Sequence, residues 1–323
     1  MKFKVLTIVL LCLLVFSIKA QKSPSDFKVV GYYSINAALE KESKKAPFKS
    51  LTHINLWFLN PDSLGNFTRD LSALKNFIGK AHKHNVKVLF SIGGGSKQKQ
   101  YHYLLKDDKR AILVKNLTAE VLKYNLDGVD IDLEGSDIDD SYEKFVVELA
   151  EEMHKHNKLI TAAIAIYYKD QLSDKALAQY DFVNVMSYDR TGPWRPEKPG
   201  PHSTYENAVD DLNYFYSERN IPKEKMTLGV PFYGYGFGPE VTSKAISMNY
   251  KEIVSTFPGA ETLDQWTMAD GKILYYNGLP TMEKKTMLAK EKASGIMIWQ
   301  LLGDAKGSKS LLKRINKVAH STK

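Results

Sequence analysis

Two features are nearly absent from this sequence: cysteine and any linker rich in Pro, Gly or Ser. Its 323 residues include one cysteine, which excludes a disulfide framework and a zinc site built on cysteines. Hydrophobic residues make up 43% and charged residues 25%, a composition that excludes a disordered chain. A chain of this length forms either one large α/β barrel or two ordinary domains.

The first twenty residues have the pattern of a secretory signal peptide. Lysines at positions 2 and 4 precede an apolar run from Val5 to Ile18, and Ala20 stands at a suitable cleavage position. The run is short for a membrane span, and Cys12 follows a leucine where a lipoprotein anchor requires a small residue. We expect residues 1–20 to be removed and residues 21–323 to be secreted or periplasmic, without a membrane partner.

The positive charge is too small to indicate a nucleic-acid partner. The formal net charge is +8, and the loss of three lysines with the leader lowers it to +5. This surplus is spread along the chain, as on a solvated surface, and no nucleic-acid-binding motif accompanies it. We expect a monomer that binds no nucleic acid.

Short apolar runs alternate with amphipathic stretches along residues 21–323. Eight runs rich in Val, Ile and Leu predict strands buried on both faces: Lys28 to Tyr33, His53 to Leu59, Lys87 to Ile92, Gly128 to Leu133, Leu159 to Ile166, Phe182 to Met186, Met226 to Val230 and Gly295 to Ile298. The stretches between them predict helices: Leu71 to His84, Ile112 to Tyr124, Tyr142 to His156, Ala208 to Arg219 and Met282 to Ala293. This alternation predicts a (β/α)8 TIM barrel, and a doubly wound sheet is the alternative.

The gap between the seventh and eighth predicted strands is too long for one loop and one helix. Within it, Gln265 to Asn277 alternates around Asp270-Gly271, which predicts a hairpin. We therefore expect a small insertion, residues 231–281, between strand seven and helix seven. Active sites of this fold form where the strands end, so polar and aromatic residues at those ends are the candidate site residues.

The fourth predicted strand places three acidic residues on one face. Because strand side chains alternate, Asp130, Asp132 and Glu134 share a face and the apolar residues between them share the other. The apolar face would pack against helices, so the carboxylates would point into the barrel. Three buried anions are costly, and at least one should hold a proton near neutral pH, as a general acid does. Glu134, nearest the rim, is the candidate acid, and a Mg²⁺ or Ca²⁺ site is the alternative.

Residues Asp127–Glu134, with the sequence DGVDIDLE, resemble the signature of the family 18 glycoside hydrolases, the chitinase family. Other segments resemble family motifs in the same order and at strand ends: Ser91–Gly94, Met186–Asp189 followed by Gly192–Trp194, Gly229–Gly234, and Gly295–Trp299 with Asp304. Tyr235 stands where the family often has an arginine. The resemblance extends over essentially all of residues 21–323 and implies one catalytic TIM-barrel domain.

The resemblance implies a chitinase, a secreted hydrolase of β-1,4-linked N-acetylglucosamine polymers that retains configuration without a carboxylate nucleophile. The substrate's own 2-acetamido oxygen would attack the anomeric carbon. Glu134 would protonate the leaving oxygen and then deprotonate water, while Asp132 would orient the acetamido N–H. Asp130 would share a proton with Asp132, and Tyr188 would donate its hydroxyl to the acetamido oxygen. The family implies no cofactor and no metal.

Aromatic side chains are expected to hold the substrate, because the apolar faces of sugar rings stack on aromatic rings. The resemblance implies that Trp299 is the floor of the −1 subsite and that Trp194 is a wall toward the leaving group. The other residues that it places around the pocket are Tyr33, Phe58, Met186, Asp189 and Tyr233. Trp57 and Trp266 could add a subsite or pack in the core.

Two other functions remain open from the sequence. An endo-β-N-acetylglucosaminidase acting on the chitobiose core of N-glycans shares nearly the same catalytic strand, although Trp194 and Trp299 favour chitin. A chitin-binding lectin on the same barrel commonly lacks the catalytic glutamate, whereas this chain has Glu134. The short insertion favours an open cleft and internal cleavage over cleavage from chain ends.

Overall fold

The structure is a computed structural model that describes residues 27–39, 46–240 and 244–321. The predicted signal peptide, residues 1–20, lies outside the described residues. The strands are β1 (Lys28–Ser34), β2 (His53–Trp57), β3 (Lys87–Gly93), β4 (Gly128–Asp132), β5 (Leu159–Ile164), β6 (Phe182–Val185), β7 (Met226–Pro231), β8 (Tyr233–Phe237), β9 (Ile246–Asn249), β10 (Gln265–Thr267), β11 (Ile273–Tyr275) and β12 (Gly295–Trp299). The α-helices are α1 (Ile35–Leu39), α2 (Leu74–Lys83), α3 (Tyr101–Leu104), α4 (Asp107–Lys123), α5 (Tyr142–Lys155), α6 (Asp174–Gln179), α7 (Tyr205–Asn213), α8 (Tyr250–Thr256), α9 (Leu279–Lys292) and α10 (Leu311–Ala319).

Eight parallel strands close into a barrel in the order β1-β12-β7-β6-β5-β4-β3-β2. These are the eight strands predicted from the apolar runs, and each observed end lies within two residues of the predicted one. Closure of the sheet confirms the (β/α)8 barrel and excludes the doubly wound alternative. It also places the carboxyl ends of all eight strands at one face of the molecule.

The barrel wall separates two apolar clusters. Outward-facing residues of β4 and its extension, such as Val129, Ile131 and Leu133, pack in the large core beneath the helices. On the other side, a smaller cluster fills the barrel interior: Val30, Tyr32, Ala163, Phe182, Tyr188 and Met297, with Trp57, Met186 and Trp299 against it. Strand side chains point alternately to the inside and to the outside of the barrel. Only every second residue of a strand can therefore reach the site.

Four turns that lead from a helix to the next barrel strand use the same residue type. Asn85, Asn125, Asn157 and Asn220 all have positive φ angles, between 53° and 58°. Each follows the last helical turn, where a left-handed residue ends a helix and asparagine is the side chain that best tolerates that conformation after glycine. In each case the asparagine turn directs the chain from the helix back to the amino-terminal end of the next strand.

The insertion between β7 and α9 is a four-stranded antiparallel sheet, in the order β10-β11-β8-β9, together with α8. The predicted hairpin is confirmed, since Gln265 pairs with Tyr275 and Thr267 with Ile273. The ring of Trp266 stacks on Phe257, with centroids 5.3 Å apart, so this tryptophan packs inside the insertion.

Four of the five predicted helices begin three or more residues away from the observed start, and α5 begins at Tyr142 as predicted. The helix predicted from Ile112 begins at Asp107, because two acidic residues favour the positive end of the helix dipole in its first turn. The helix predicted over Ala208 to Arg219 begins at Tyr205, where the Thr204 side chain caps it by accepting from the backbone N–H of Asn207. It ends at Asn213 and continues as a π-helical turn over Tyr214–Glu218.

Candidate active site

A cleft of about 520 Å³ opens at the carboxyl ends of the barrel strands, where TIM-barrel sites form. Eight of the eleven predicted site residues line this cleft: Phe58, Asp132, Glu134, Met186, Tyr188, Asp189, Trp194 and Trp299. The other lining residues are Gly95, Ala165, Tyr167, Tyr168 and Arg195. The remaining predicted residues, Asp130, Tyr33 and Tyr233, do not line the cleft.

Asp130 lies in the barrel interior, fully buried below the cleft. Its Oδ2 accepts hydrogen bonds from the hydroxyls of Tyr32 (2.6 Å) and Ser91 (2.8 Å). Its Oδ1 accepts from the Thr161 hydroxyl (2.6 Å) and the Asn184 amide (3.2 Å). Burial raises the pKa of Asp130, and the four donors act against that rise because they favour the carboxylate. The network fixes this carboxyl group in one orientation.

Asp132 lies two residues further along β4, nearer the rim, and its surroundings differ from those of Asp130. The side chain is buried, and its Oδ1 has no hydrogen-bond partner among the residues that the structure describes. Burial, followed by the nearby charges of Glu134 and Asp130, raises the pKa of Asp132 well above its usual range. This carboxyl group therefore keeps its proton to a higher pH than an exposed aspartate does, and it has an unused hydrogen-bonding position beside the cleft.

Glu134 follows β4 with an extended backbone, at φ −128° and ψ 147°. The alternation of side chains therefore continues past the end of the strand and brings Glu134 to the same face as the two aspartates. The carboxyl group is half-buried, and its Oε2 accepts a hydrogen bond of 2.9 Å from the Tyr168 hydroxyl. Burial raises the pKa of Glu134, the Tyr168 bond opposes the rise, and the charges of Asp189 and Asp137 add to it.

Tyr188 forms part of the cleft wall with Met186. It packs in the interior cluster, and its hydroxyl lies 3.9 Å from the Met297 sulfur. Burial, followed by the charge of Asp132, raises the pKa of Tyr188 well above its usual range, so the hydroxyl remains a donor. The structure thus brings a tyrosine donor into the same wall as the buried aspartate.

Asp189 is held by three donors that converge on one oxygen. Its Oδ1 accepts from the hydroxyls of Tyr233 (2.5 Å) and Tyr235 (3.2 Å) and lies 3.2 Å from His202 Nδ1. The backbone of Asp189 has a φ of 61°, which turns the chain at the end of the motif. Tyr233, which does not line the cleft itself, acts by fixing this carboxylate, and its ring packs edge-on against Tyr188.

Stacked aromatic rings form the floor of the cleft. Trp299 packs against Tyr32, Trp57 and Phe58, with centroids 5.1, 5.4 and 5.8 Å away. Phe58 reaches this position because a glycine lies beside it: a Cβ on Gly94, where φ is +102°, would stand 2.5 Å from the Phe58 ring. Gly94, the first residue after β3, therefore makes room for the floor.

Trp194 stands on the rim with 57% of its surface exposed. Its ring meets Tyr235 edge-on at 5.6 Å and lies over Gly192, where a Cβ would stand 2.4 Å from the indole. A tryptophan that is held from below and exposed above offers a stacking face to a ligand.

The expectation for Tyr33 is wrong. Tyr33 lies outside the barrel, where its ring stacks on Phe77 with centroids 5.5 Å apart. Because side chains alternate along β1, the neighbouring Tyr32 faces inward and bonds Asp130. Tyr32 is thus a site residue that sequence reasoning missed, because the residues of β1 show no alternation that tells which of the two tyrosines points inward.

Sequence reasoning also missed two residues that follow β5 and one within β8. Tyr167 and Tyr168 line the cleft at the end of the fifth barrel strand, and Tyr235 bonds Asp189 from the insertion. The signal for the first two was available, because they are polar aromatic residues at a strand end of a TIM barrel. No local pattern indicates Tyr235, whose partner lies 46 residues away.

No group of three or more His, Cys, Asp or Glu side chains in the described part of the chain is arranged to hold a metal ion. In the same residues, no helix is both long and apolar enough to cross a membrane.

The model of the glycosyl hydrolases family 18 matches residues 28–304, so the chain belongs to this family. The resemblance noted from the sequence motifs is thereby confirmed. Among solved structures, the chain is similar to a GH18 chitinase from the chitin utilization locus of Flavobacterium johnsoniae, with 34% identity, a TM-score of 0.81 and coverage of 92% and 94% of the two chains. It is also similar to a chitinase from Bacteroides thetaiotaomicron, with 29% identity, a TM-score of 0.76 and coverage of 91% and 97%.

Curated relatives carry both enzymatic and chitinase-like names. A chitinase-like mite allergen of Dermatophagoides farinae is 30% identical over 65% of this chain and 45% of its own length. An endochitinase of Manduca sexta is 26% identical over 82% of this chain and 55% of its own, and a chitinase-like effector of Moniliophthora roreri is 27% identical over 60% and 55%. The chain spans about half the length of these relatives.

Proposed function

We propose that the protein is a secreted chitinase that cleaves β-1,4-linked N-acetylglucosamine polymers with retention of configuration. The observation that carries this proposal is the arrangement of Asp130, Asp132 and Glu134 on one face of one chain segment, leading from the barrel interior to an aromatic-lined cleft. Each carboxyl group has different surroundings, and this difference suits the separate tasks that the reaction requires.

Glu134 would act first as the general acid. Burial raises the pKa of Glu134, so the group retains a proton at a pH where an exposed carboxyl would have lost it. As the glycosidic bond breaks, this proton passes to the leaving oxygen and Glu134 becomes a carboxylate. The carboxylate then removes a proton from the water that attacks the anomeric carbon, which restores the acid.

The substrate's acetamido oxygen would act as the nucleophile and form a cyclic oxazolinium. Asp132 suits the task of orienting the acetamido N–H, because its Oδ1 is buried without a partner among the described residues. The anionic surroundings favour the positive charge that develops on the sugar. The Tyr188 hydroxyl would donate to the acetamido oxygen, and Asp130 would tune the charge of Asp132 from below.

The aromatic floor and rim would bind the sugar rings. Trp299 offers its face at the bottom of the cleft, and Trp194 offers an exposed face on the rim. Met186, Phe58 and Asp189 would complete the pocket around the acetamido group and the ring. No cofactor is needed in this scheme, because the protein supplies the acid and the substrate supplies the nucleophile.

Internal cleavage is the mode that we propose. None of the described residues of the insertion, 232–240 and 244–278, lines the cleft. A cleft without a wall from the insertion would admit a polymer chain along its length, whereas a deep tunnel would favour chain ends.

The variant Glu134→Gln tests the assignment of the acid. Glutamine has the same shape as glutamate but has no proton to transfer, so turnover of a chito-oligosaccharide should fall at least about 100-fold. Binding of the oligosaccharide, followed by calorimetry, should persist. The matched control is Glu143→Gln, an acid on the surface of α5 that forms an ion pair with Lys175 and should leave turnover intact. Undiminished hydrolysis by Glu134→Gln would refute the assignment.

The same assay separates the alternatives. Release of the glycan from a high-mannose glycoprotein, with chito-oligosaccharides left intact, would identify an endo-β-N-acetylglucosaminidase. Binding without any turnover by the unmodified protein would identify a lectin, and the names of the chitinase-like relatives make that outcome worth measuring.

Export through the predicted signal peptide completes the proposal. Cleavage after Ala20 would give a mature chain, residues 21–323, that begins at Gln21 and folds as one catalytic domain. The amino-terminal sequence of the exported protein tests this.

A further inference from the structure

The two oxygens of the Glu134 carboxyl group have different surroundings. Oε2 accepts the hydroxyl of Tyr168 at 2.9 Å, across a separation of 34 residues in the chain. Oε1 faces the loop after β3, where a Cβ built on Gly95 would stand 3.4 Å from it. Gly95 and Glu134 both line the cleft, and Gly95 places no side chain between Oε1 and the cleft.

Tyr168 is a rigidly held donor. Its backbone N–H donates to the Ala165 carbonyl (3.1 Å), and its own carbonyl accepts from Gln171 N–H (2.9 Å). Its ring packs against the core and lies 3.7 Å from the Cβ position of Gly135, the residue that turns the chain after Glu134 with a φ of +56°. Burial and the charge of Glu134 raise the pKa of Tyr168, so the hydroxyl keeps its proton.

We propose that Tyr168 is a positioning residue for the general acid: its hydroxyl occupies Oε2 of Glu134 and thereby places the transferable proton on Oε1, the oxygen that faces the open cleft. This inference rests on the proposed role of Glu134. A carboxylic acid carries one O–H, and an oxygen that already accepts a donated hydrogen bond serves best as the carbonyl oxygen of that acid.

The proton balance then follows. The O–H bond at Oε1 breaks as the leaving glycosidic oxygen gains the proton and its bond to the anomeric carbon breaks. Glu134 is left as a carboxylate, and the Tyr168 hydrogen bond becomes charge-assisted and stronger. Tyr168 thus stabilises the ionised acid, which lowers the pKa that burial has raised and makes the proton easier to release.

The variant Tyr168→Phe removes the hydroxyl and retains the ring. Without the donor, the pKa of Glu134 rises, so the basic limb of kcat/KM against pH should move upward by at least about half a pH unit. The value of kcat at the optimum should fall about two- to tenfold, while KM changes little. A role in packing alone would leave the position of the basic limb unchanged.

The matched control is Tyr167→Phe. It removes a hydroxyl from the adjacent residue in the same cleft, where that hydroxyl donates to the backbone carbonyl of Asp189 at 3.2 Å and does not contact Glu134. The basic limb should stay where it is in the unmodified enzyme. Equal shifts in the two variants would overturn the proposal, because the effect would then be general to the cleft.

A second substitution should shift the basic limb of the pH profile in the opposite direction. Site-specific 3-fluorotyrosine at position 168 preserves the shape of the side chain and makes its hydroxyl a stronger donor, so the basic limb should move to lower pH. This variant keeps the test decisive if Tyr168→Phe does not fold. An unmoved or raised limb would contradict the role of the hydroxyl.

Carboxyl carbon NMR separates this inference from the proposed function. In protein labelled on its glutamate carboxyl carbons, the Glu134 signal is the one lost in Glu134→Gln, and its titration should move upward in Tyr168→Phe. If the unmodified protein hydrolyses chito-oligosaccharides and this titration does not move, the positioning role fails and the function stands. If it hydrolyses nothing, the function fails, and the titration still decides whether Tyr168 controls this carboxyl group.

Discussion

Asp130 and Asp132 stand two residues apart on the same strand and differ in almost every contact. Asp130 accepts from four donors, whereas the buried Oδ1 of Asp132 has no partner in the described part of the chain. A carboxyl group held by four donors, which favour its ionised form, therefore lies below one that burial and the neighbouring charges make harder to ionise. The identity of the two residues does not determine this difference, which comes from donors on four other barrel strands, β1, β3, β5 and β6.

The adjacent tyrosines of β1 provide a prediction at the scale of single residues. Tyr32→Phe removes the 2.6 Å hydrogen bond to Asp130, so kcat on chito-oligosaccharides should fall about tenfold. Tyr33→Phe preserves the ring that stacks on Phe77 outside the barrel, so its kcat should stay within about twofold of the unmodified enzyme. Steady-state kinetics on the two variants would contradict this account if their effects were equal or reversed.

This pair also shows why some site residues could not be predicted. Motif positions at the ends of β4, β6 and β12 led to Glu134, Tyr188 and Trp299 without any knowledge of the fold. Tyr32 and Tyr33 are consecutive tyrosines near the carboxyl end of β1. They differ only in the direction in which each side chain points. That direction depends on closure of the barrel, which no local pattern contains.

At the scale of elements, a buried lysine joins three parts of the chain. Lys285 lies on α9 with no exposed surface, and its Nζ donates to Ser203 O, Ser203 Oγ and Asn277 Oδ1 at 2.9, 2.7 and 2.8 Å. Ser203 Oγ in turn donates to the carbonyl of Ser187, in the motif that carries Tyr188. Hydrogen bonds from the Lys285 side chain on α9 therefore connect this helix to the insertion and to the loop after β6.

This lysine makes folding stability depend on pH. Burial lowers the pKa of Lys285 to about 7, whereas a lysine in an unfolded chain has a pKa of about 10.4. Between these values the unfolded chain binds more protons, so the free energy of unfolding should rise with pH. Relative to Lys285→Met, the stability of the unmodified protein should increase by at most about 1.4 kcal/mol per pH unit above pH 7.

Urea unfolding from pH 6 to pH 9 measures this slope. The control is Lys284→Met, a substitution at an exposed position of the same helix, which should show the same pH dependence as the unmodified protein. Parallel profiles for the unmodified protein and Lys285→Met would show that the lysine retains an ordinary affinity for protons and would refute the prediction.

The elements themselves differed in how well sequence could predict them. The barrel strands are buried on both faces and are bounded by helices, so their apolar runs indicate them to within two residues. Only part of the insertion sheet could be predicted from the sequence. Its hairpin has a local turn, but β8 pairs with β11 from 36 residues away. Short strands that pair at such distances leave no periodic signal.

At the scale of the whole molecule, one barrel would supply both the proposed chemistry and the binding surface. The acidic segment, the aromatic floor and the rim all come from the carboxyl ends of the barrel strands and the loops that follow them, and no described residue of the insertion lines the cleft. The insertion instead acts through Tyr235, which supports Trp194 and Asp189 from behind. We therefore expect a groove that is open at both ends, with Glu134 near its centre.

Proton NMR of the first products from chitohexaose is the sharpest test of substrate-assisted, internal cleavage. Substrate-assisted catalysis in an open cleft should release the β-anomer first, with dimer, trimer and tetramer present from the earliest time points. Dimer alone, released from chain ends, would contradict internal cleavage. An initial α-anomer would contradict participation of the acetamido group, and the absence of any product would contradict the assignment of a chitinase.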